Sequence, residues 1–278
     1  MKFDILSAEE QVMYVFESNM HTALWGTESW EISPHISSPG VVAEGPMKGR
    51  RFTELGTGFN LLVKVIDAKT RLSVQVHPNE QTRLVTGGDP KTEMWCLLDD
   101  GVIYAGLKSG VGPNDIESAV KDGRFEELMV RHEAKKGDAF YIPGGLVHAI
   151  GDGTRLYEVQ QSSDTTFRLY DWNRVGADGR PRELHVEKAR AAIDYTLKAP
   201  SPQKDIISPF FEFRQIELGG GTISIPGEDW CAIYAVEGEV NVGGEKLAAG
   251  RSALVSAGTE ILGDGKIFIT TQGKGTER

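Results

Sequence analysis

Beyond Trp25 the chain is a succession of short apolar runs separated by Gly, Pro, Asn and Asp. The runs predict strands at Leu61–Asp67, Leu72–His77, Met94–Leu98, Val102–Ala105, Ala139–Ile142, Val147–Ile150, Arg155–Gln161 and Phe167–Asp171. Short strands broken at such intervals by turn residues predict a sandwich or barrel. Helical spacing is sparse. It predicts a short helix around Ala8–Ser18, an inserted pair at Asp115–Asp122 and Phe125–Val130, and a helix over Val186–Leu197. In the last of these, VEKARAAIDYTL, apolar residues recur on one side and charges on the other. Lys198–Lys204 (KAPSPQK) reads as a linker. From about Ile206 a second β-rich stretch begins, with turns predicted at Gly219-Gly220-Gly221, Gly243-Gly244 and Gly263-Asp264-Gly265.

The second half echoes the first. Gly137, Pro143, Gly145 and His148 are matched in spacing by Gly250, Ser256, Gly258 and Ile261, at an offset of 113 residues. Glu93-Met94-Trp95-Cys96 is matched by Glu228-Asp229-Trp230-Cys231 at an offset of 135. The difference between the offsets is close to the length of the helical insertion. The chain therefore reads as two related β-domains, residues 1–197 with the insertion near 112–132, and residues 205–278, the second having lost a polar residue.

Composition narrows the function classes. With 278 residues, 40% of them hydrophobic, there is enough apolar material for a sizeable core, so disorder is not the dominant state. The 33 Gly and 12 Pro agree with a turn-rich β fold. A net charge of −10 disfavours nucleic acid and anionic membrane as partners, although a local basic cluster still suits a small anionic substrate. Two cysteines, Cys96 and Cys231, are too few for a disulfide framework and read as small apolar core residues. No signal pattern and no run of membrane-spanning length is present, so the expected location is the cytoplasm.

The densest chemistry begins at Leu72–Pro78 (LSVQVHP). On a strand Ser73, Gln75 and His77 share one face, and Val74 and Val76 the other. If the polar face looks into a barrel, its groups need partners, and a metal is one kind. Glu93 opens the next strand, and His148 follows the Pro143-Gly144-Gly145 turn. Gln75, His77, Glu93 and His148 together offer two imidazoles, a carboxylate and an amide oxygen, a set suited to zinc or another first-row divalent ion.

The spacing from Gly137 to His148 resembles the second motif of the cupin superfamily. The first motif departs from it: Gln75-Val76-His77 replaces the commoner pair of histidines, and Glu93 lies far downstream. That departure, with Lys91–Trp95 (KTEMW), Gly137–Gly151 (GDAFYIPGGLVHAIG), Glu158–Trp172 (EVQQSSDTTFRLYDW) and Glu28–Ser33 (ESWEIS), resembles type I mannose-6-phosphate isomerases in their short bacterial form. The resemblance covers nearly all of the first 195 residues and is weak over the last 75. It implies an all-β fold of two cupin (jelly-roll) barrels, the second degenerate. It also implies one Zn2+ on Gln75, His77, Glu93 and His148, and interconversion of mannose 6-phosphate and fructose 6-phosphate. Lys91 and Arg168 correspond to a family lysine and an active-site arginine, and Glu158 to an acidic residue ten positions before the arginine. Pro90 stands where longer members have a histidine, so a mechanism through that histidine is not open to this chain.

The chemistry asks for the same parts. An aldose–ketose isomerase needs a base and a means of stabilising charge on oxygen, and its phosphate handle needs cations. Glu158, Lys91 and Arg168 are the catalytic candidates, with Lys91, Arg168 and Ser73 contacting a hexose 6-phosphate. Alternatives stay open at this point. Lys91 also reads as a solvated loop residue, Lys64 as either a pocket residue or a strand-edge charge, and Arg168 as a partner of Asp164 or Asp171. Glu158 also reads as a partner of Arg155 or Arg168. An iron-dependent cupin oxygenase and a non-catalytic sugar-phosphate sensor are the competing functions. A monomer or homodimer is expected.

Overall fold

The structure is a computed structural model that describes residues 13–176, 179–227 and 229–273. In chain order the strands are β1 (Met13–Val15), β2 (Met20–Ala23), β3 (Gly26–Ile32), β4 (Leu61–Ala68), β5 (Val74–Val76), β6 (Glu93–Leu97), β7 (Gly101–Leu107), β8 (Met129–Ala134), β9 (Ala139–Ile142), β10 (His148–Ile150), β11 (Thr154–Gln161), β12 (Phe167–Tyr170), β13 (Ile206–Ile207), β14 (Phe211–Glu217), β15 (Thr222–Ser224), β16 (Cys231–Val242), β17 (Glu245–Leu247), β18 (Ser252–Val255) and β19 (Glu260–Gln272). The helices are α1 (Arg83–Thr86), α2 (Pro113–Asp122) and α3 (Val186–Ala192).

The chain divides into two compact units. The larger comprises Met20–Trp30 and Leu62–Ile206, and the smaller Met1–Asn19, Glu31–Leu61 and Ile207–Arg278. The sequence reading separates 1–197 from 205–278. The units instead group 31–61, which the sequence assigns to the first domain, with the C-terminal segment.

In the larger unit a five-stranded sheet (β12-β5-β10-β7-β8) and a six-stranded sheet (β2-β3-β4-β11-β6-β9) form the β framework. Trp95, Leu97, Ile103, Ala105, Phe140, Ile142, Ile150 and Leu156, drawn from both sheets, pack into one core. Val74 and Val76 of β5 join a separate core with Ile116 and Ala119 of α2 and Ala189 and Ala192 of α3. The valine face of β5 is thus roofed by helices. Alternation then turns Ser73, Gln75 and His77 to the opposite, interior face. In the smaller unit the sheet runs β1-β18-β16-β19-β14, with β15 on β19 and β17 on β16, around a core rich in Val and Ile.

Several local expectations are corrected. Met13–Val15, inside the helix expected at Ala8–Ser18, is a strand paired with β18, and residues 8–12 lie outside the described residues. Of Phe125–Val130, only Phe125–Leu128 coils, as a single 3-10 turn. Met129 begins β8, which pairs with β7, so the insertion ends before residue 132. α3 stops at Ala192, because Ile193 turns extended to enter the core and Asp194 N–H bonds the Gly145 carbonyl. The expected linker is partly tied down: Gln203 bridges Ala139. Gly263-Asp264-Gly265 is no turn but the middle of β19. A Cβ on Gly263 would lie 2.1 Å from the Glu239 carbonyl oxygen, and one on Gly265 2.2 Å from that of Glu237. These glycines admit the close approach of β16.

Candidate metal centre

The interior face of the larger unit gathers groups that the sequence holds far apart. His148 on β10 lies directly opposite Gln75 on β5. His77 follows β5, and Glu93 begins β6 in the other sheet. His77, Glu93 and His148 are each at most 1% exposed, and one donor atom from each lies within 4.8 Å of the others.

The protonation pattern follows from the backbone. His77 Nδ1 lies 2.8 Å from the Thr165 carbonyl and His148 Nδ1 2.8 Å from that of Leu146. A carbonyl only accepts, so both Nδ1 atoms carry the proton. Both Nε2 lone pairs then face each other at 3.1 Å. Glu93 brings Oε1 to 3.4 Å from His148 Nε2 and Oε2 to 3.5 Å from His77 Nε2, and neither oxygen has a hydrogen bond. Two converging imidazole lone pairs and a buried carboxylate, with the Lys91 ammonium beside only one of its oxygens, suit a further cation among them. Four donors around zinc, at bonds of about 2.0–2.1 Å, sit roughly 3.3 Å apart along the tetrahedron's edges. The observed separations match. The Gln75 amide has its nitrogen 3.3 Å from His148 Nε2, and with the amide turned over its oxygen could serve as a fourth donor. The donor set therefore fits a first-row divalent ion. Burial, aided by Lys91 and His148, pushes His77 well below the usual imidazole range. Burial also lowers His148 to about 4, so both rings are neutral at pH 7, the form in which an imidazole can hold a metal.

Lys91 is not a solvated loop residue. Its Nζ lies 2.9 Å from Glu93 Oε2 and 3.3 Å from His77 Nε2. Lys64, also open to two readings from sequence, is buried between Glu28 at 3.1 Å and Glu158 at 3.4 Å, over the Trp30 ring. Burial opposes the charge on Lys64, but the Glu158 and Glu28 carboxylates outweigh it and hold the ammonium above the ordinary lysine range. Trp30 Nε1 donates to Glu28 and Trp95 Nε1 to Glu158, each at 2.8 Å. Glu158 Oε1 receives no hydrogen bond. Burial and the Glu93 charge raise the Glu158 pKa against the pull of Lys64 and Lys91.

A cavity of about 310 Å3 opens on this network, its walls including Ser73, Gln75, Lys91, Glu158 and Arg168. Arg168 stands opposite Gln75 in the β12–β5 pair. Its Nη1 donates to the Glu183 carbonyl at 2.7 Å, while Nε is buried without a partner. Asp171, one of its two expected partners, is instead clasped by Arg174 and Arg182. Arg182 also lines the cavity. Sequence reading passed over Arg182 and the Glu28–Lys64 pair. Arg182 lies outside any strand and Glu28 on an unpredicted one, so neither had a pattern to mark its direction.

The fold and site define a class: a cupin-type protein with a two-histidine, one-carboxylate centre inside its first barrel. Comparison with known proteins agrees. Residues 26–94 match the family model for the phosphomannose isomerase type I catalytic domain. The mannose-6-phosphate isomerase of Streptococcus mutans is 30% identical over 279 aligned residues, covering 84% of this chain and 88% of that protein. The mannose-6-phosphate isomerase ManA of Bacillus subtilis is 39% identical over 185 residues, a match spanning 60% of this chain and 58% of the relative. The crystal structure of a Bacillus subtilis mannose 6-phosphate isomerase superposes with a TM-score of 0.81 at 24% identity, covering 94% of this chain and all of that one. A zinc-bound mannose 6-phosphate isomerase superposes at 0.73 and 15% identity, covering 95% and 100%. The chain belongs to the type I mannose-6-phosphate isomerase family.

Proposed function

We propose that the chain interconverts mannose 6-phosphate and fructose 6-phosphate with one zinc ion held by Gln75, His77, Glu93 and His148. The observation that carries this reading is the pair of Nε2 atoms 3.1 Å apart with both oxygens of the buried Glu93 carboxylate within 3.5 Å of them, beside a cavity whose walls include Gln75, Lys91, Glu158 and Arg168. Zinc, when bound, polarises the substrate oxygens at the two carbons that exchange the proton.

The remaining work falls to the chain's own side chains. Glu158 is the proton carrier. Trp95 holds one of its oxygens, the other receives no hydrogen bond and has the Lys64 ammonium 3.4 Å away, and burial raises its pKa above the usual carboxylate range, the direction a base needs. Lys91 is engaged with Glu93 and His77, and Lys64 stays charged, so neither acts as the base. Their ammonium groups instead balance the negative charge that builds on substrate oxygen. Arg168 offers guanidinium donors for the phosphate, Arg182 adds positive charge while its Nε and Nη2 hold Asp171, and Ser73 adds a hydroxyl to the wall. Pro90 leaves no imidazole at the sequence position before Lys91. The unphosphorylated sugar loses the handle, and with it remote binding energy. A phosphorylated hexose does not leave a cell unaided, which supports the cytoplasmic location.

A coupled assay with mannose 6-phosphate tests the reading. We expect turnover that chelation abolishes and Zn2+ restores, and His148→Ala losing metal and turnover together. Tight sugar-phosphate binding without conversion would assign a sensor instead. Oxygen uptake with bound iron would assign an oxygenase.

A further inference from the structure

The smaller unit repeats the strand pairing that builds the metal centre. His148 lies opposite Gln75, and Ile261 lies opposite Ile223. Gly145 N–H bonds the His77 carbonyl at 2.8 Å, as Gly258 N–H bonds that of Ile225 at 3.0 Å. Glu93 lies opposite Ile142, and Cys231 opposite Val255. By register, then, Gln75, His77, Glu93 and His148 correspond to Ile223, Ile225, Cys231 and Ile261. The Glu-Trp-Cys echo in the sequence is out of register by three residues, and Glu228 itself lies outside the described residues. Where the larger unit has donors, the smaller has hydrocarbon and a thiol that burial raises to about 12. No ion is held by such a set.

The cavity nevertheless persists, with a volume of about 510 Å3. Ile223, Ile269 and Trp230 give it apolar walls, and Tyr14 stacks on Trp230 with ring centroids 5.0 Å apart. Arg214 and Glu212 on β14 lie opposite Ile269 and Thr271 on β19, so these four share one face. Arg214 donates to Glu212 at 3.2 Å, so its charge is balanced within the cavity.

We propose that this cavity is a metal-independent binding site for a neutral hexose ring. Its volume lies in the range of about 300–1,000 Å3 common to small-molecule pockets. A flat indole beside branched aliphatic walls suits the C–H face of a pyranose. Arg214, Glu212 and Thr271 supply donors and acceptors for hydroxyl groups around its edge. A phosphorylated sugar is disfavoured, because Glu212 neutralises the only arginine among these wall groups. The inference rests on the repeat and its cavity and stands apart from the reaction proposed for the larger unit.

The test is saturation-transfer NMR of D-mannose and D-glucose on the full-length chain, with and without chelator, together with Trp230→Ala and Thr271→Trp. The second variant fills the cavity without removing a wall. We expect saturable binding of at least one sugar with a Kd of about 1–10 mM, unchanged by chelator and weakened at least about tenfold in both variants. Turnover of mannose 6-phosphate should be the same in both variants as in the parent. Absence of saturable binding, binding that needs metal, or binding indifferent to both substitutions overturns the site. Uptake of an apolar dye that neither sugar displaces overturns the assignment to a hexose.

Discussion

At the scale of single residues, Glu158 shows how environment assigns a role that residue type leaves open. A glutamate on a strand beside an arginine-rich segment has several bland fates. Here one oxygen is fixed by Trp95, and the other, without a hydrogen bond, lies 3.4 Å from Lys64, which is itself held by Glu28. The geometry predicts that Glu158→Gln keeps the Trp95 contact, keeps the metal, and lowers kcat by roughly 10^2–10^4, the usual worth of a positioned base. Metal content and kcat measured on the same preparation check this, and an unchanged kcat would return the role to another group. Arg168→Ala should likewise keep its metal, but show its loss mainly in KM for the phosphorylated sugar. The clustered His77, Glu93 and His148 were legible as candidate donors in the sequence because each sits at a strand start or beside a turn. Arg182 was not, since its direction is set by Asp171, a contact made across a loop.

At the scale of elements, alternation did most of the positioning. In β5 the valines go to the helical roof and the polar residues to the interior, so one short strand and the residue after it deliver both Gln75 and His77. The turn at Gly145, with φ +96, then sets His148 opposite Gln75. Glycine meets a different demand in β19. With φ +154 and the Glu239 carbonyl in the way of any Cβ, Gly263→Ala should destabilise the chain by about 2–4 kcal/mol. Denaturant unfolding of the variant against the parent measures it, and a change within error would show that β16 yields easily. From sequence this glycine pair read as a turn. A glycine that allows close approach and one that allows reversal look the same until the partner strand is in place.

At the scale of the whole molecule, the buried imidazoles couple stability to pH and metal. His148 titrates near 4 when folded and near 6.5 when unfolded, so on acidification the unfolded chain takes up the proton first. The stability it contributes is complete above about pH 6.5 and erodes below it until the folded pKa is passed. Between pH 7 and 5 the metal-free protein should lose about 2 kcal/mol from this group, with His77 acting in the same direction. Thermal melts of chelated protein across that range test the sign, and a Tm that rises on acidification would contradict it. Added Zn2+ should raise the Tm at pH 7 by mass action on the folded state. The sequence by itself determined the β architecture, most strand positions and the four donors, because periodicity of two, turn chemistry and motif spacing are properties of neighbouring residues. Only the tertiary structure decided which residues belong to which compact unit, that Lys64 is buried between two carboxylates, and that the smaller unit has Ile223, Ile225, Cys231 and Ile261 at the register positions of the four donors. Those facts depend on the register between strands distant in the chain, and cross-strand hydrogen bonds fix that register only once the sheets have formed.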